Sequence, residues 1–222
     1  MAENDLDTTR VRIVEAAGVM FAERGFEATT VRDICQAAGA NIAAVNYYFR
    51  DKERLYIEAV VRAHRWRLDQ AQLPDWTPNT PAKQKLADFV VTFFRRVLGG
   101  PDNTWHTRLV MREILNPSAA CAELAQSNIR PQFEILQGIL RELLPAGVTE
   151  EELHLTAFSI VGQCLFYHFA DPVIRNLIEV DEYATFDVGK LAEHVTKFSL
   201  AAIEAKGAAA AARSSRAEGA QR

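Results

Sequence analysis

Asn41, Ile42, Ala43, Ala44, Asn46, Tyr47 and Tyr48 fall in one short stretch and have side chains suited to the edge of a nucleic-acid duplex. Small apolar groups such as Ile42, Ala43 and Ala44 can lie against thymine methyls, and Asn46 can read adenine by paired hydrogen bonds. Tyr47, Tyr48 and, a little further on, Lys52 can reach phosphate oxygens, as can the free amides where a following helix begins. An ordinary surface helix would carry charge at these outer positions.

The elements that must position these groups run from Thr29 to Leu55. Thr30 can cap the first turn of a helix, and Asp33 three residues on completes a box-like pair. Val31, Ile34, Cys35 and Ala38 form its inward face, with small residues where a second helix must come close. Gly39 supplies the turn, since it reaches left-handed backbone angles cheaply. Asn41 caps a second helix whose Val45 and Phe49 are spaced to face inward. Helix, glycine turn and capped second helix is the layout of a helix-turn-helix, whose second helix enters the DNA major groove. Two helices that merely pack would leave the same short pattern, so the surrounding residues decide.

Those surroundings carry a resemblance. Thr9 to Leu55 is similar along its whole length to the amino-terminal domain of TetR-family transcriptional repressors. The matching pieces are Ile13-Val14-Glu15-Ala16-Ala17, Phe21-Ala22-Glu23-Arg24-Gly25-Phe26 and Thr29-Thr30-Val31-Arg32-Asp33-Ile34. They continue through Ala37-Ala38-Gly39-Ala40-Asn41 to Asn46-Tyr47-Tyr48-Phe49-Arg50-Asp51-Lys52-Glu53. The resemblance implies that Thr30 and Arg32 lie at the foot of the groove, that Tyr47 and Tyr48 touch the backbone, and that Lys52 binds phosphate at the start of the fourth helix. Asn46 stands where the family usually has an aromatic, and Ile42 and Ala44 replace commoner polar residues, so an operator sequence does not carry over.

The chain has 222 residues, 49% hydrophobic and 24% charged, ordinary values for a soluble protein with one or two cored domains. The most apolar stretch, Thr156 to Ala170, is interrupted by Gln163 and His168 and is too short for a bilayer. The acidic start MAENDLDTTR has no export signal, and Cys35, Cys121 and Cys164 are scattered with no CxxC pair. A cytoplasmic protein with no membrane partner is expected, its cysteines small core residues. A net charge of −4 weighs against nucleic acid. Even residues 1–55 hold more Asp and Glu than Arg and Lys. The balance reverses from Val45 to Arg67, where Arg50, Lys52, Arg54, Arg62, Arg65 and Arg67 outnumber Asp51, Glu53 and Glu58. Salt-sensitive binding through few phosphate contacts follows.

The rest also reads as helix, predicting an all-α fold. A first helix begins at Thr8 or Thr9, buries Ile13, Ala17 and Phe21, and stops at Gly25. The fourth runs from Asp51 to Gln72 with Leu55, Ala59 and His64 inward. Thr80-Pro81 reads as a cap with proline at the first helical position, opening a helix that buries Leu86, Phe89, Val90, Phe93 and Val97. Helices follow at Asp102–Leu115 and Pro117–Asn128, and another begins or kinks at Pro131. Thr149-Glu150-Glu151-Glu152 is a capping signature opening a helix to Phe169. Asp187–Ala205 closes the fold, with Leu191, Val195, Phe198 and Ala202 at core spacing. The expected domains are 1–55 for DNA, 56–206 for ligand and dimerisation, and a disordered, alanine-rich tail over 207–222.

A second resemblance covers the later part. Arg108-Leu109-Val110-Met111-Arg112-Glu113-Ile114-Leu115-Asn116-Pro117-Ser118, Ile129-Arg130-Pro131 and Ser159-Ile160-Val161-Gly162-Gln163-Cys164-Leu165-Phe166-Tyr167 are similar to the carboxy-terminal domain of the CecR-like branch of TetR regulators. This implies a homodimeric repressor of a palindromic operator, released by a small hydrophobic effector, with drug or toxicant export among the targets. In the resembled family the helices matching Thr149–Phe169 and Asp187–Ala205 form the dimer interface. A ligand-independent architectural DNA-binding protein is the alternative, and about 150 residues of second domain exceed what a dimer clamp requires.

Catalysis finds no support. His64, His106, His154, His168 and His194 form no metal-ligand pair and adjoin no nucleophile motif, and no glycine loop cradles phosphate, so no enzyme, cofactor or metal is expected. Arg112-Glu113 reads as a buried ion pair or a ligand anchor, and His168 as a hydrogen-bonded core or pocket histidine. A drug-sized cavity needs apolar walls with a few polar anchors. By type, Phe94, Trp105, His106, Leu109, Arg112, Phe133, Gln163, Tyr167 and His168 are the candidates, each equally able to be plain core.

Overall fold

Glycines, prolines and caps cut a helix-forming chain into short rods that can bury one face each. A computed structural model describes residues 2–99 and 104–219, with side chains over 8–99 and 104–208. Among the described residues the regular elements are all helical, as expected. They are α1 (Ala2–Ala28), α2 (Val31–Ala38), α3 (Ile42–Phe49), α4 (Lys52–Gln70), α5 (Ala82–Leu98), α6 (Trp105–Leu115) and α7 (Ala119–Leu124). After a π-helical turn at Ala125–Ile129 come α8 (Arg130–Leu143), α9 (Glu150–Phe169), α10 (Asp171–Leu177), α11 (Val180–Tyr183) and α12 (Val188–Gly219).

The chain's contacts divide it into two units, Met1–Gln70 with Pro101–Pro131, and Ala71–Gly100 with Gln132–Arg222. A cut after residue 55 is therefore not where the contacts part. All of α4 stays with the first helices, and α6 and α7 return to them. The reason is one shared core: Leu109, Val110, Ala120 and Leu124 are buried in the same cluster as Ile13, Phe21, Ile34, Val45, Phe49 and Leu55. Close approach is built in at Gly18, where a β-carbon would sit 2.1 Å from the Trp105 ring. On α4 the buried positions are Leu55, Tyr56, Ala59, Val60, Ala63 and Arg67. Ala63 thus takes the inward place expected for His64, which is half-buried.

Helix α1 begins at Ala2, earlier than Thr8, and breaks at Gly25 (φ 82°, ψ 173°). Burial of Thr29 holds the break: its hydroxyl donates to the Gly25 carbonyl at 2.8 Å, with the Met20 carbonyl at 3.3 Å. Where the break interrupts the helical ladder, the hydroxyl gives the Gly25 carbonyl a partner.

In the second unit α5, α9 and α12 pack together, with Leu136, Ile139 and Leu140 of α8 in the same core. Helix α9 opens with the expected capping box: Glu152 N–H donates to Thr149 Oγ1 (3.1 Å) and Thr149 N–H to Glu152 Oε2 (3.2 Å). Other expectations need correction. Thr80 does not cap α5; Pro81 takes that position, and Thr80 Oγ1 instead accepts from Thr77 N–H at 3.0 Å to close a turn. Phe94 is fully buried on α5 while Phe93 is half-buried against the core. The helix expected over Pro117–Asn128 ends at Leu124 in the π turn, since Pro131 has no N–H to continue an α ladder. The expected start at Asp102 lies outside the described residues.

Helices α10 and α11 fill a stretch with no expected element. Asp171-Pro172 starts the first of these, with an Arg175–Asp171 ion pair at 2.8 Å on its surface. On α12 the buried face is Leu191, Ala192, Val195, Thr196, Ser199 and Ile203, whereas Phe198 is 59% exposed and Ala202 is exposed too. Leu191 and Val195 are buried as expected, while Phe198 and Ala202 turn to a second apolar side of the helix. Its backbone also continues through Gly219 where a disordered tail was expected from residue 207, because an alanine run is the strongest of helix formers. Residues 220–222 lie outside the described residues. Replacing Thr29 by the isosteric Val should cost about 1–2 kcal/mol in urea unfolding by orphaning the Gly25 carbonyl. Unchanged stability would refute this account of the α1 break.

Candidate nucleic-acid interface

Short helices at a surface need their ends tied before their faces can be used. On α2, Thr30 accepts from Asp33 N–H (3.2 Å) and donates its hydroxyl to Asp33 Oδ2 (2.7 Å). The pair is reciprocal, though through the hydroxyl rather than the backbone amide. Gly39 then sits in the left-handed region (φ 59°, ψ 39°), its N–H and that of Ala40 turned onto the carbonyls of the last turn. Asn41 Oδ1 accepts from Ala43 N–H at 2.9 Å and so starts α3.

Helix α3 is anchored by Val45 and Phe49, both buried. The opposite side faces out: Ile42 is 49% and Tyr47 75% exposed, and Ala43 and Asn46 are exposed between them. Ala44 and Tyr48 are half-buried against the core, so they flank the outward stripe and do not lead it. Thr30 and Arg32 are exposed at the start of α2. The two tyrosines meet edge to face at 5.0 Å. From Ile34 to Arg50 the chain has no Asp or Glu, which leaves this stripe free of negative charge in an acidic protein.

The corner after α3 is strained. Arg50 has φ 69° and ψ −49°, a conformation that costs a residue with a β-carbon about 1–3 kcal/mol. Asp51 follows as the cap of α4, accepting from Arg54 N–H at 2.8 Å. Lys52 is half-buried with its ammonium 4.2 Å from the centre of the Phe26 ring, which fixes where its charge lies at the head of α4. The ten residues nominated for DNA thus lie on α2 and its cap, on α3 and its cap, and at the first position of α4.

Behind this surface lies a buried carboxylate. Glu113 is fully buried and is not paired with Arg112. Its Oε2 accepts from the Tyr56 hydroxyl at 2.7 Å, and its Oε1 from the Ser118 N–H (2.7 Å) and hydroxyl (2.9 Å). Ser118 also caps α7 through Ala120 N–H, so one carboxylate ties α4 to the α6–α7 corner. Sequence reading singled out Glu113 but not its partners, which are remote in the chain. Arg112 instead points back at α1, donating to the Ala22 carbonyl at 3.4 Å. Gly25 beside it has φ 82°, where any side chain is strained, and a β-carbon there would also displace the guanidinium, 2.7 Å away. Arg112 lines a cavity of about 480 Å³ floored by Phe26, Tyr56, Ile57 and Ala120.

The nine residues nominated for a ligand are divided between the two units. Trp105, His106, Leu109 and Arg112 belong to the first; Phe94, Phe133, Gln163, Tyr167 and His168 belong to the second. Leu109 and Phe94 are fully buried core. His106 stacks on both Trp66 (4.3 Å) and Trp105 (3.9 Å), and burial holds its imidazole below the usual histidine range. In the second unit Tyr167 meets Phe94 at 5.9 Å, Phe133 stacks on Phe158 at 5.2 Å, and Gln163 donates to the Ser159 carbonyl. His168 lies half-buried, 5.9 Å from Phe169.

Comparison with known proteins divides the chain in sequence order, so the second match crosses both contact units. Residues 13–59 match the tetR family of bacterial regulatory proteins, and residues 82–203 match the C-terminal domain of the HTH-type transcriptional dual regulator CecR. The chain is 24% identical over 178 residues to that regulator from Shigella flexneri, covering 76% of this chain and 79% of the relative. Its backbone is similar to a TetR-like transcriptional regulator from Rhodococcus sp. RHA1, at 22% identity and TM-score 0.58 over 87% of this chain and 96% of that one. It is similar as well to AibR in complex with isovaleryl coenzyme A and operator DNA, at 15% identity and TM-score 0.57 over 86% and 97%. At these identities the structural likeness is one of fold.

Burial, with the hydrogen bond to Glu113, raises the Tyr56 phenol above its ordinary value of 10.0. The protonated form is the one the fold favours, so this contribution is complete below pH 10 and is lost as the pH climbs from there towards the folded-state value. Tyr56→Phe should lower stability by about 1–3 kcal/mol at neutral pH and remove that alkaline loss. Equal urea midpoints for the two proteins at neutral pH would show that Glu113 does not need this donor.

Proposed function

Because the chain belongs to the TetR family of bacterial regulators, in the branch with a CecR-type C-terminal domain, we propose that it is a cytoplasmic repressor released from a palindromic operator by a small, largely apolar ligand. It is a DNA-binding transcriptional regulator and not an enzyme. Among the described residues no helix is long and apolar enough to cross a membrane.

The observation that carries the reading is the outward stripe of α3: apolar and amide side chains, free of acid, on a helix whose two inward residues and two end caps leave that face nothing to do inside the chain. Ile42, Ala43 and Asn46 are the proposed base readers, with Ala44 beside them. Thr30, Arg32, Asn41, Tyr47, Tyr48 and Lys52 position the helix on the backbone.

A homodimer fits the second unit. On α9, Leu155, Phe158, Phe166 and Phe169 are exposed on one side, with Ser159 and Gly162 between them as small residues for close approach. Phe198 and Ala202 face out from α12. An apolar face of this size calls for a partner, and a second copy closes it with two-fold symmetry. Two α3 helices related in that way meet half-sites at a set spacing.

For the ligand, Phe94, Phe133, Gln163, Tyr167 and His168 are candidates for a wall, while Trp105, His106, Leu109 and Arg112 are candidates in the first unit. The AibR complex named above, with isovaleryl coenzyme A and operator DNA, supports ligand control on this fold. The proposed targets are genes for drug or toxicant export. A ~100-fold preference of the ligand for the DNA-free conformer, about 2.7 kcal/mol, releases much of the DNA.

Selection from a random duplex pool should return an inverted repeat whose half-sites lie about one helical turn, or a multiple of it, apart. Lys52→Ala and Tyr47→Ala should weaken binding to every sequence, whereas Arg32→Ala and Asn46→Ala should also change the preferred bases. Phe198→Asp, at an exposed position, should give folded monomers that no longer need the second half-site. No enrichment at moderate salt defeats the proposal that α3 reads an operator.

Arg112→Ala should bind the operator normally and resist release by any compound that frees the wild type. A broad panel of drugs and aromatics in which nothing shifts melting temperature or operator affinity would leave the ligand-independent, architectural reading in its place.

A further inference from the structure

Arg50 is, among the described residues, the one non-glycine with positive φ. Its backbone has little choice. Its N–H is held by the Asn46 carbonyl at 3.1 Å, closing α3, and Asp51 beside it already caps α4 with both its carboxylate and its carbonyl. One residue must therefore turn the corner, and glycine would do so without the clash that a β-carbon brings.

The arginine side chain gives nothing back inside the protein. It is exposed, and no hydrogen bond, ion pair or ring contact joins it to any described residue. Of the nearest carboxylates in sequence, Asp51 is committed to the α4 cap, and the exposed Glu53, three residues on, makes no contact with Arg50. Arg50 directly follows Phe49, the last residue of α3, and is exposed at that end of the helix. It is the positive end of a stretch that holds no acid from Ile34 onward. A strained corner with an unengaged cation at the edge of a DNA-reading face points outside the chain for its partner.

We propose that Arg50 is a phosphate clamp: its guanidinium grips a backbone phosphate at the rim of the groove that α3 enters and so sets the depth and register of that helix. A planar fork of donors suits a phosphate better than an ammonium does, and such a contact positions the helix without selecting bases. The inference rests on the reading of α3 as the DNA-binding helix.

The test compares wild type, Arg50→Gly and Arg50→Lys on the selected operator and on a random duplex, from about 50 to about 300 mM salt. Arg50→Gly should melt a few degrees higher, because glycine relieves the corner. It should bind both duplexes more weakly by a similar factor, on the order of tenfold, and flatten log affinity against log salt by about 0.9 for each Arg50 engaged. Arg50→Lys should keep the wild-type salt slope. Wild-type affinity and slope in Arg50→Gly overturn the clamp, as does weakening confined to the operator. A lower melting temperature for Arg50→Gly overturns the strain argument and the inference with it. A wild type that binds neither duplex refutes the reading of α3 itself, which is a different outcome from a wild type that binds while Arg50→Gly binds equally well.

Discussion

A helix of eight residues does not persist in water by its own hydrogen bonds, and α3 is that short. Its place at the surface depends on what holds it from behind and at the ends. Val45 and Phe49 reach into the core, Asn41 takes up a free amide at the start, and the Arg50–Asp51 corner closes the far end. With so few attachments, each one is decisive. The outward residues are free to be chosen for a partner only because none of them is needed to keep the helix folded.

The floor under α3 is correspondingly stiff. A fully buried carboxylate is costly unless its lone pairs are met, and Glu113 has Tyr56 on one side and both polar groups of Ser118 on the other. Hydrogen bonds have direction where apolar contacts do not, so α4 is registered against the α6–α7 corner to within a bond length. The Trp105 ring against Gly18 leaves no room for a β-carbon on α1, and the positive φ of Gly25 beside Arg112 strains any side chain there. The unit that presents α3 is therefore assembled from both ends of the first 131 residues, with α5 leaving and α6 returning.

How much of this the sequence reveals depends on range. Thr30, Gly39, Asn41 and Thr149 act on neighbours two to four residues away, and their caps stand where their types and spacing placed them. The inward pair on α3 was equally legible. The division of contacts was not, because it depends on Leu109, Val110, Ala120 and Leu124 returning to a core more than fifty residues upstream. The π turn before Pro131 and the short helices α10 and α11 had local signals, a proline and an Asp-Pro start, that were too brief to outweigh the longer patterns around them. On α12 the apolar residues run round two sides, so a period of 3.6 is satisfied by either face. Phe198 fits the inner one as well on paper as Ser199 does in fact. The strain at Arg50 leaves no trace in composition, since nothing about an arginine announces its φ.

The acid-free stretch ending at Arg50 has a kinetic meaning as well. It belongs to a chain of net charge −4. At 0.1 M salt, charges more than about 10 Å apart scarcely feel one another. A duplex at the edge of that range meets an acidic protein and gains nothing by lingering. On the proposed docking, Arg50 and Lys52 outweigh the surrounding carboxylates only when α3 is nearly seated. Idle residence on arbitrary DNA depends on diffuse attraction to phosphates, and this distribution of charge withholds it. On the proposed docking of α3, the molecule should therefore be either free or docked, with little time spent sliding between the two.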